Sequence, residues 1–220
     1  MTLKYVQLAP HHFDAIIALG NEVHGDNYLD MTQMEDLYQR SWSNNVNASW
    51  VAVLTEPEAL SNKEIEQDSE VAPAKRSASK QTPDGYLVGF RLTIASQNWS
   101  HDQWCTPEQW GHPQDQVCYF KCNTVDSAMR GKGVGSSLLQ KSIESAKQQN
   151  ALAGVAHIWM QSPQNSAFEY FTASGGELVK KHPNKWQIHT IEDGYECPVC
   201  ENICYCVAAE MIIHFESTQA

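Results

Sequence analysis

Hydrophobic positions along the chain mark a succession of short elements. Leu3 to Leu8 reads as a strand, and His11 to His24 carries Phe13, Ile16, Ile17 and Leu19 at helical spacing. Thr32 to Trp42 reads as a second helix. Ser49 to Thr55 and Tyr86 to Ala95, rich in Val, Ile, Leu and aromatic residues, read as strands. Val117 to Val125 is strand-like, Ser136 to Gln149 helix-like, and Leu152 to Met160 has bulky apolar residues on both faces, as in a strand at the middle of a sheet. Ser162 and Pro163 then fit an N-cap and a first helical residue, Ala167, Phe168 and Phe171 share one helical face, and Gly175-Gly176 ends the helix. Trp186 to Ile191 and Val207 to Phe215 complete the pattern as two strands.

Between the Val117 strand and the helix that follows lies Arg130-Gly131-Lys132-Gly133-Val134-Gly135-Ser136. A glycine-rich turn opening a helix can hold an anion, because backbone amides of the first turn point outward and the helix dipole favours negative charge. Arg130 and Lys132 add positive charge. The Lys-Ser/Thr ending of a P-loop is absent, and so is the third spaced glycine of the dinucleotide fingerprint. Arg-x-x-Gly-x-Gly after a strand resembles the acyl-coenzyme A loop of the GNAT superfamily of N-acyltransferases. The order strand, glycine loop, helix, strand, short helix with an Ala and an aromatic before a glycine is similar to the second half of that fold, from about Val117 to Gly176.

The resemblance implies an α/β fold with a mixed, mostly antiparallel central sheet flanked by helices, its central strands splayed where the pantetheine arm enters. It implies that the backbone of Asn123, Thr124 and Val125 pairs with that arm, and that residues 130 to 136 hold the pyrophosphate. The implied co-substrate is acetyl-coenzyme A, attacked directly by a primary amine of a small molecule or of a protein or peptide. A lysine-like amine of pKa about 10.4 is mostly protonated at neutral pH, a cost of about 4 to 5 kcal/mol, so a base is expected. The leaving thiolate benefits from an acid, in many family members a tyrosine on the helix after the splayed strand. Here the match breaks: alignment on Ala167 puts Phe171 where that tyrosine stands and Gln164 where an asparagine is usual, with Tyr170 and Asn165 each one residue away. A one-residue shift turns a side chain by about 100°. Tyr170 is the candidate acid, and Asn165 is kept as a cofactor contact. A non-catalytic acyl-coenzyme A binding or zinc-dependent interaction module is the alternative from another class.

Composition adds bounds. In 220 residues, 42% are hydrophobic, and no apolar stretch approaches the roughly 20 residues needed to cross a bilayer. One domain over 1–220 is expected, off the membrane. Met1 to Pro10 lacks the features of a secretion signal, so the expected compartment is the cytoplasm. A net charge of -11 argues against nucleic acid and suits a cationic acceptor. A homodimer is left open.

Three stretches stand apart. Residues 57–84 are polar, carry three prolines and lack an apolar period, the composition of a flexible insertion in a hairpin. Gln97 to Gln116 carries Trp99, Trp104 and Trp110, which either plug the loop onto the core or wall an acceptor pocket. Nearby, Cys118 and Cys122 share a parity on their strand and read as small packing residues, and His24 with Asp26 and Tyr28 is open between a hydrogen-bonded structural histidine and, by positional analogy with the family it resembles, a border of the acceptor site. Lastly, Cys197, Cys200, Cys204 and Cys206 lie in a cysteine-rich hairpin at 195–207, and four thiols so close point to metal before disulfide. Structural zinc is the leading reading. Reduced or redox-active thiols and an iron–sulfur cluster are the others, with His182, His189 or His214 able to replace one sulfur.

Overall fold

The computed structural model describes residues 1–55, 77–162 and 166–215. An eight-stranded sheet runs through it. Its strands are β1 (Thr2–Gln7), β4 (Trp50–Thr55), β5 (Gln81–Thr82), β6 (Gly85–Ile94), β7 (Val117–Val125), β8 (Ala153–Trp159), β9 (Glu177–Pro183) and β10 (Val207–His214), and a separate small hairpin joins β2 (Trp42–Ser43) to β3 (Val46–Asn47). The order is β1-β4-β6-β7-β8-β10-β9, with β5 also paired to β6. Every pair is antiparallel except β7–β8. Helices α1 (Phe13–His24) and α2 (Met31–Arg40) cover one face; α3 (Val134–Gln148) and α4 (Ser166–Ala173) cover the other.

Local chemistry explains the ends of these elements. Asp30 accepts the Gln33 amide at 2.8 Å, and the Gln33 side chain returns the bond to the Asp30 amide, a reciprocal box that starts α2. Asn44 and Asn45, with φ of 52° and 60°, supply the left-handed turn of the β2–β3 hairpin. Ile16, Leu19 and Met34 reach full burial against Leu87, Phe90 and Leu92 of β6, while Leu138 and Leu139 of α3 close the opposite face. Burial of each such side chain contributes about 1.5–3 kcal/mol.

Two expectations of the sequence fail. Trp186 to Ile191 is not a strand: Asn184 turns the chain at φ 61°, Gln187 donates to the Asn184 carbonyl at 3.0 Å, and Gln187–Glu192 forms the short helix α5. Six residues are too few for periodicity to separate a helical from an extended reading. The strand that precedes β10 in the chain and pairs with it is instead β9, an edge strand rich in Glu and Lys. The four cysteines therefore lie between α5 and β10, inside the β9–β10 connection.

The expected insertion falls largely outside the described residues; its last part, 77–84, packs against the sheet and α1. Gln81 and Thr82 pair with β6, and the buried Lys80 ammonium bonds to Glu22 at 2.7 Å and Asp126 at 2.9 Å. Burial opposes that charge, yet the two carboxylates outweigh it and hold the ammonium above its ordinary range.

Candidate active site

The centre of the sheet opens. β7 and β8 pair only at Val117, Cys118 and Tyr119 with Ala153, Gly154 and Val155, so among the described residues the β8-facing edge of β7 lacks a strand partner from Phe120 to Val125. A cavity of about 780 Å³ enters there. Asn123, Thr124 and Val125 line it, as do Arg130, Gly131, Gly133, Val134, Gly135 and Ser136; Lys132 lies next to them outside the lining, and Asn165 lies outside the described residues. Gly131 and Gly133 have φ of 72° and 76°, the left-handed region, and a side chain at either would meet open space. The first backbone bond of α3 runs from the Ser137 amide to the Gly133 carbonyl at 3.0 Å, which leaves the amides of the preceding turn facing outward. Buried Val134 and Leu138 pack under Gly89 and fix the helix start against the sheet.

Tyr170 meets this helix start. Its hydroxyl donates to the Gly135 carbonyl at 3.2 Å and accepts from Arg91 Nη1 at 3.1 Å. Burial pushes the phenol up, with Arg91 pulling the other way. Phe171, by contrast, is fully buried against Phe120. Arg91 was not singled out from the sequence, where an arginine in a strand carries no signal. It is 2% exposed, lies 4.4 Å over the Phe120 ring, and has no carboxylate against it among the described residues; burial lowers its pKa. Arg91 Nε and Asn123 Oδ1 are buried without a hydrogen-bond partner among the described residues. A free strand edge, an open helix start with a flanking cation and two orphaned polar atoms suit a long, anionic, amide-bearing ligand, and coenzyme A has that chemistry.

On the other side of the opening a β-bulge changes the picture. Leu92 pairs with Cys122 but Thr93 pairs with Phe120, which leaves Lys121 as the extra residue. The bulge reverses parity, so Cys118 and Cys122 face opposite ways, contrary to the sequence expectation. Cys118 packs with Leu139 and Phe171, and burial pushes its thiol up to about 12. Cys122 Sγ lies 3.1 Å from Thr124 Oγ1 and 3.7 Å from His24 Nε2, and His24 Nε2 lies 2.8 Å from Thr124 Oγ1. Burial opposes the thiolate, but the charge of His24 and hydrogen bonds from His24, Thr124 and Tyr28 outweigh it and lower the thiol to about 7. His24, Tyr28, Cys122 and Thr124 all line the cavity.

The tryptophan loop is mainly a plug. Trp110 is fully buried and donates to Glu210 Oε1 at 2.8 Å; Trp99 donates to the Val117 carbonyl at 2.8 Å. Glu210, buried in β10, also accepts from the Thr106 amide at 2.8 Å, the Thr106 hydroxyl, and His182 Nε2 at 2.9 Å. Burial works against this carboxylate, yet its donors hold it below the ordinary range. Trp104 stays half-buried beside Lys185.

The sulfurs of Cys197, Cys200, Cys204 and Cys206 lie within 4.8 Å of one another, with Cys206 at 3.8 Å from both Cys197 and Cys200. Sulfurs about 2.3 Å from a central ion form a tetrahedron with edges of about 3.8 Å, whereas a disulfide is about 2.05 Å. The donor set thus fits zinc. The three candidate histidines are engaged elsewhere: His182 with Glu210, His189 with Asp193 at 2.6 Å, and His214 with His112 at 3.0 Å. The cysteine loop is fastened to the end of α1. Tyr195 donates to the His24 carbonyl at 3.0 Å, Asn27 to the Gly194 carbonyl at 3.2 Å, and a side chain at Gly25 would run into the Glu196 carbonyl.

A sheet splayed at its parallel pair, with a glycine-rich helix start beside the opening, defines an acyl-coenzyme A dependent N-acyltransferase fold. The sequence profile of the acetyltransferase (GNAT) family matches residues 31–175, and the chain belongs to that family. Three solved structures share the fold. Ard1 from Thermoplasma volcanium has 13% identity and a TM-score of 0.60, covering 99% of this chain and 100% of its own. The NatC complex bound to Gag peptide and CoA has 12% identity and a TM-score of 0.59, over 98% and 100%. YncA from Salmonella typhimurium, with its cofactor acetyl-CoA, has 12% identity and a TM-score of 0.60, over 99% and 96%. No curated protein sequence gives a significant match. Among the described residues no helix is long and apolar enough to cross a membrane.

Proposed function

We propose that this acetyltransferase moves an acetyl group from acetyl-coenzyme A to a primary amine at the splay between β7 and β8. The observation that carries this reading is the unpaired β7 edge from Phe120 to Val125, opening on a cavity that the 130–136 loop also lines. Pantetheine amides would continue the ladder at Asn123, Thr124 and Val125. The pyrophosphate would take the amides of Gly133 to Ser136, with Arg130 beside it. In its simplest form the amine attacks the thioester directly, and Tyr170 protonates the departing thiolate. Its contact with Arg91 favours the phenoxide that this step leaves behind.

A net charge of -11 favours a cationic acceptor, a polyamine or a lysine or N-terminal amine of a peptide. Zinc at Cys197, Cys200, Cys204 and Cys206 would be structural, since four sulfurs leave it no open position. Through Tyr195 and Asn27 it would brace the end of α1, where His24 lies. The direct test is thiol release from acetyl-coenzyme A with a panel of polyamines, aminoglycosides and lysine-bearing or free N-terminal peptides. One amine class should accelerate release at least tenfold over hydrolysis. Absence of acceleration across all classes, with the cofactor bound, would overturn the amine-transfer reading.

A further inference from the structure

In the wall of the cavity a buried thiol lies beside an imidazole. Cys122 lies in the stretch of β7 that has lost its β8 partner, one residue before the Asn123–Val125 edge. The Lys121 bulge turns its sulfur away from the packed α3–α4 face and toward α1. There the sulfur meets the Thr124 hydroxyl at 3.1 Å and His24 Nε2 at 3.7 Å, and Thr124 bridges the two at 2.8 Å from the imidazole. The Tyr28 ring lies against the imidazole, with centroids 4.4 Å apart and the two planes tilted by 34°. His24 is itself held through its carbonyl by Tyr195. Toward α3 and α4, the same cavity holds Arg91 Nε and Asn123 Oδ1, buried and without a hydrogen-bond partner among the described residues.

We propose that Cys122 takes the acyl group from coenzyme A as a thioester and then passes it to the amine, with His24 accepting the thiol's proton. The proposal rests on coenzyme A binding at the splay and replaces the single attack by two. In the first step the Cys122 Sγ–acyl bond forms and the coenzyme A sulfur–acyl bond breaks. The Cys122 proton goes to His24, directly or through Thr124, and the coenzyme A thiolate takes a proton from Tyr170. Solvent returns the His24 proton to Tyr170. In the second step the amine nitrogen bonds to the acyl carbon, the Cys122 sulfur leaves, and the amine's surplus proton passes through His24 back to the thiol. Nothing is oxidised or reduced, and one thioester is exchanged for another of similar energy, so the relay adds no steep thermodynamic step. Placing a thiolate by an imidazole is the usual way to activate such a nucleophile. The lowered Cys122 thiol is in keeping with it.

The experiment needs no knowledge of the acceptor. Full-length, zinc-loaded protein is mixed with acetyl-coenzyme A alone, quenched in acid within seconds, digested and mapped by mass. Trypsin cleaves after Lys121, so Cys118 and Cys122 fall on separate peptides. An acetyl group on the Cys122 peptide is expected, with none on the Cys118 peptide. It should be lost when hydroxylamine is added to the quenched protein before digestion, because trypsin frees the Cys122 amine and lets the acetyl group migrate from sulfur to nitrogen, and it should form at least tenfold more slowly in His24→Ala. Thermal stabilisation by acetyl-coenzyme A is recorded alongside, for the wild type and for Cys122→Ala, to show that both are folded and loaded. Stabilised wild-type protein that stays unlabelled at Cys122 would overturn the relay and leave the direct attack standing. So would Cys122→Ala that releases coenzyme A to an amine at the wild-type rate. If acetyl-coenzyme A stabilises neither protein, the cofactor reading fails and the relay falls with it.

Discussion

Cys118 and Cys122 sit four residues apart on one strand and belong to two differently built faces. The α3–α4 face surrounds Cys118 with Leu139, Phe120 and Phe171, and burial pushes its thiol up to about 12. The α1–α2 face surrounds Cys122 with His24, Thr124 and Tyr28, and their charge and hydrogen bonds overcome the same burial. One inserted residue, Lys121, decides which face each thiol meets. The cofactor side, in the proposed reading, works mostly through backbone: a strand edge, glycines and a helix start. The acceptor side works through side chains, buttressed by the tryptophan plug and the cysteine loop. A backbone device tolerates many side chains but not a change at its glycines; a side-chain cluster behaves in the opposite way.

The largest expected effect lies in the buttress. Removing zinc with a chelator, or Cys197→Ser, should cost on the order of 4 to 5 kcal/mol, about 2–4 °C of Tm per kcal/mol, measured by calorimetry with metal analysis. If the two faces are separable, the affinity of the surviving folded protein for coenzyme A should change less than about threefold. Metal-free wild-type protein with an unchanged melting profile would remove zinc from the account.

Next is the plug. Glu210→Gln leaves His182, Trp110 and Thr106 with a poorer acceptor and should lower stability by about 3 kcal/mol in urea unfolding. Its pH dependence has a definite sign. The folded Glu210 carboxyl lies below its ordinary value, so its contribution is complete above about pH 4.3 and is lost as pH falls through the lower folded value. The gap between wild type and variant should therefore narrow in acid. A gap that widens there would contradict the assignment.

Tyr170→Phe tests the seam where the faces meet. It should lower kcat by roughly 10², about 2.7 kcal/mol, with coenzyme A affinity nearly unchanged. A change under about threefold would assign the hydroxyl to packing and to its bond with Gly135. The smallest effect is expected from replacing 57–76 with a short Gly-Ser turn that keeps Lys80: under about 1 kcal/mol in stability, because loop closure depends weakly on length. Loss of soluble protein would show that the segment contributes to the core.

What was legible in the sequence follows the same division. The glycine loop, the strand before it and the helix after it are local features with strong residue preferences, and they lie where they were expected. Of the expected cofactor contacts, Asn123 to Val125 and Arg130 to Ser136 line the cavity apart from Lys132, and Asn165 lies outside the described residues. The acceptor side was harder to read. The bulge at Lys121 is a difference in pairing between two strands, invisible in either alone, so the parity of Cys122 came out wrong. Arg91 and Glu210 owe their roles to partners 79 and up to 104 positions away. The edge strand β9 and the six-residue α5 carry too few apolar residues for their periods to register. The four cysteines were conspicuous, but not their attachment to the end of α1.

The central claim, that the glycine-rich helix start beside the splay holds acetyl-coenzyme A, is tested most directly by isothermal titration of acetyl-coenzyme A into the wild type and Gly133→Glu. Gly133 has open space around its missing side chain, so the glutamate would not clash with the protein but would put a carboxylate where the phosphates are expected, in a left-handed backbone that disfavours it. The account predicts micromolar binding by the wild type and a loss of at least about 100-fold, roughly 2.7 kcal/mol, in the variant. A wild type that binds nothing at millimolar acetyl-coenzyme A, or a folded Gly133→Glu that binds as tightly as the wild type, would contradict it.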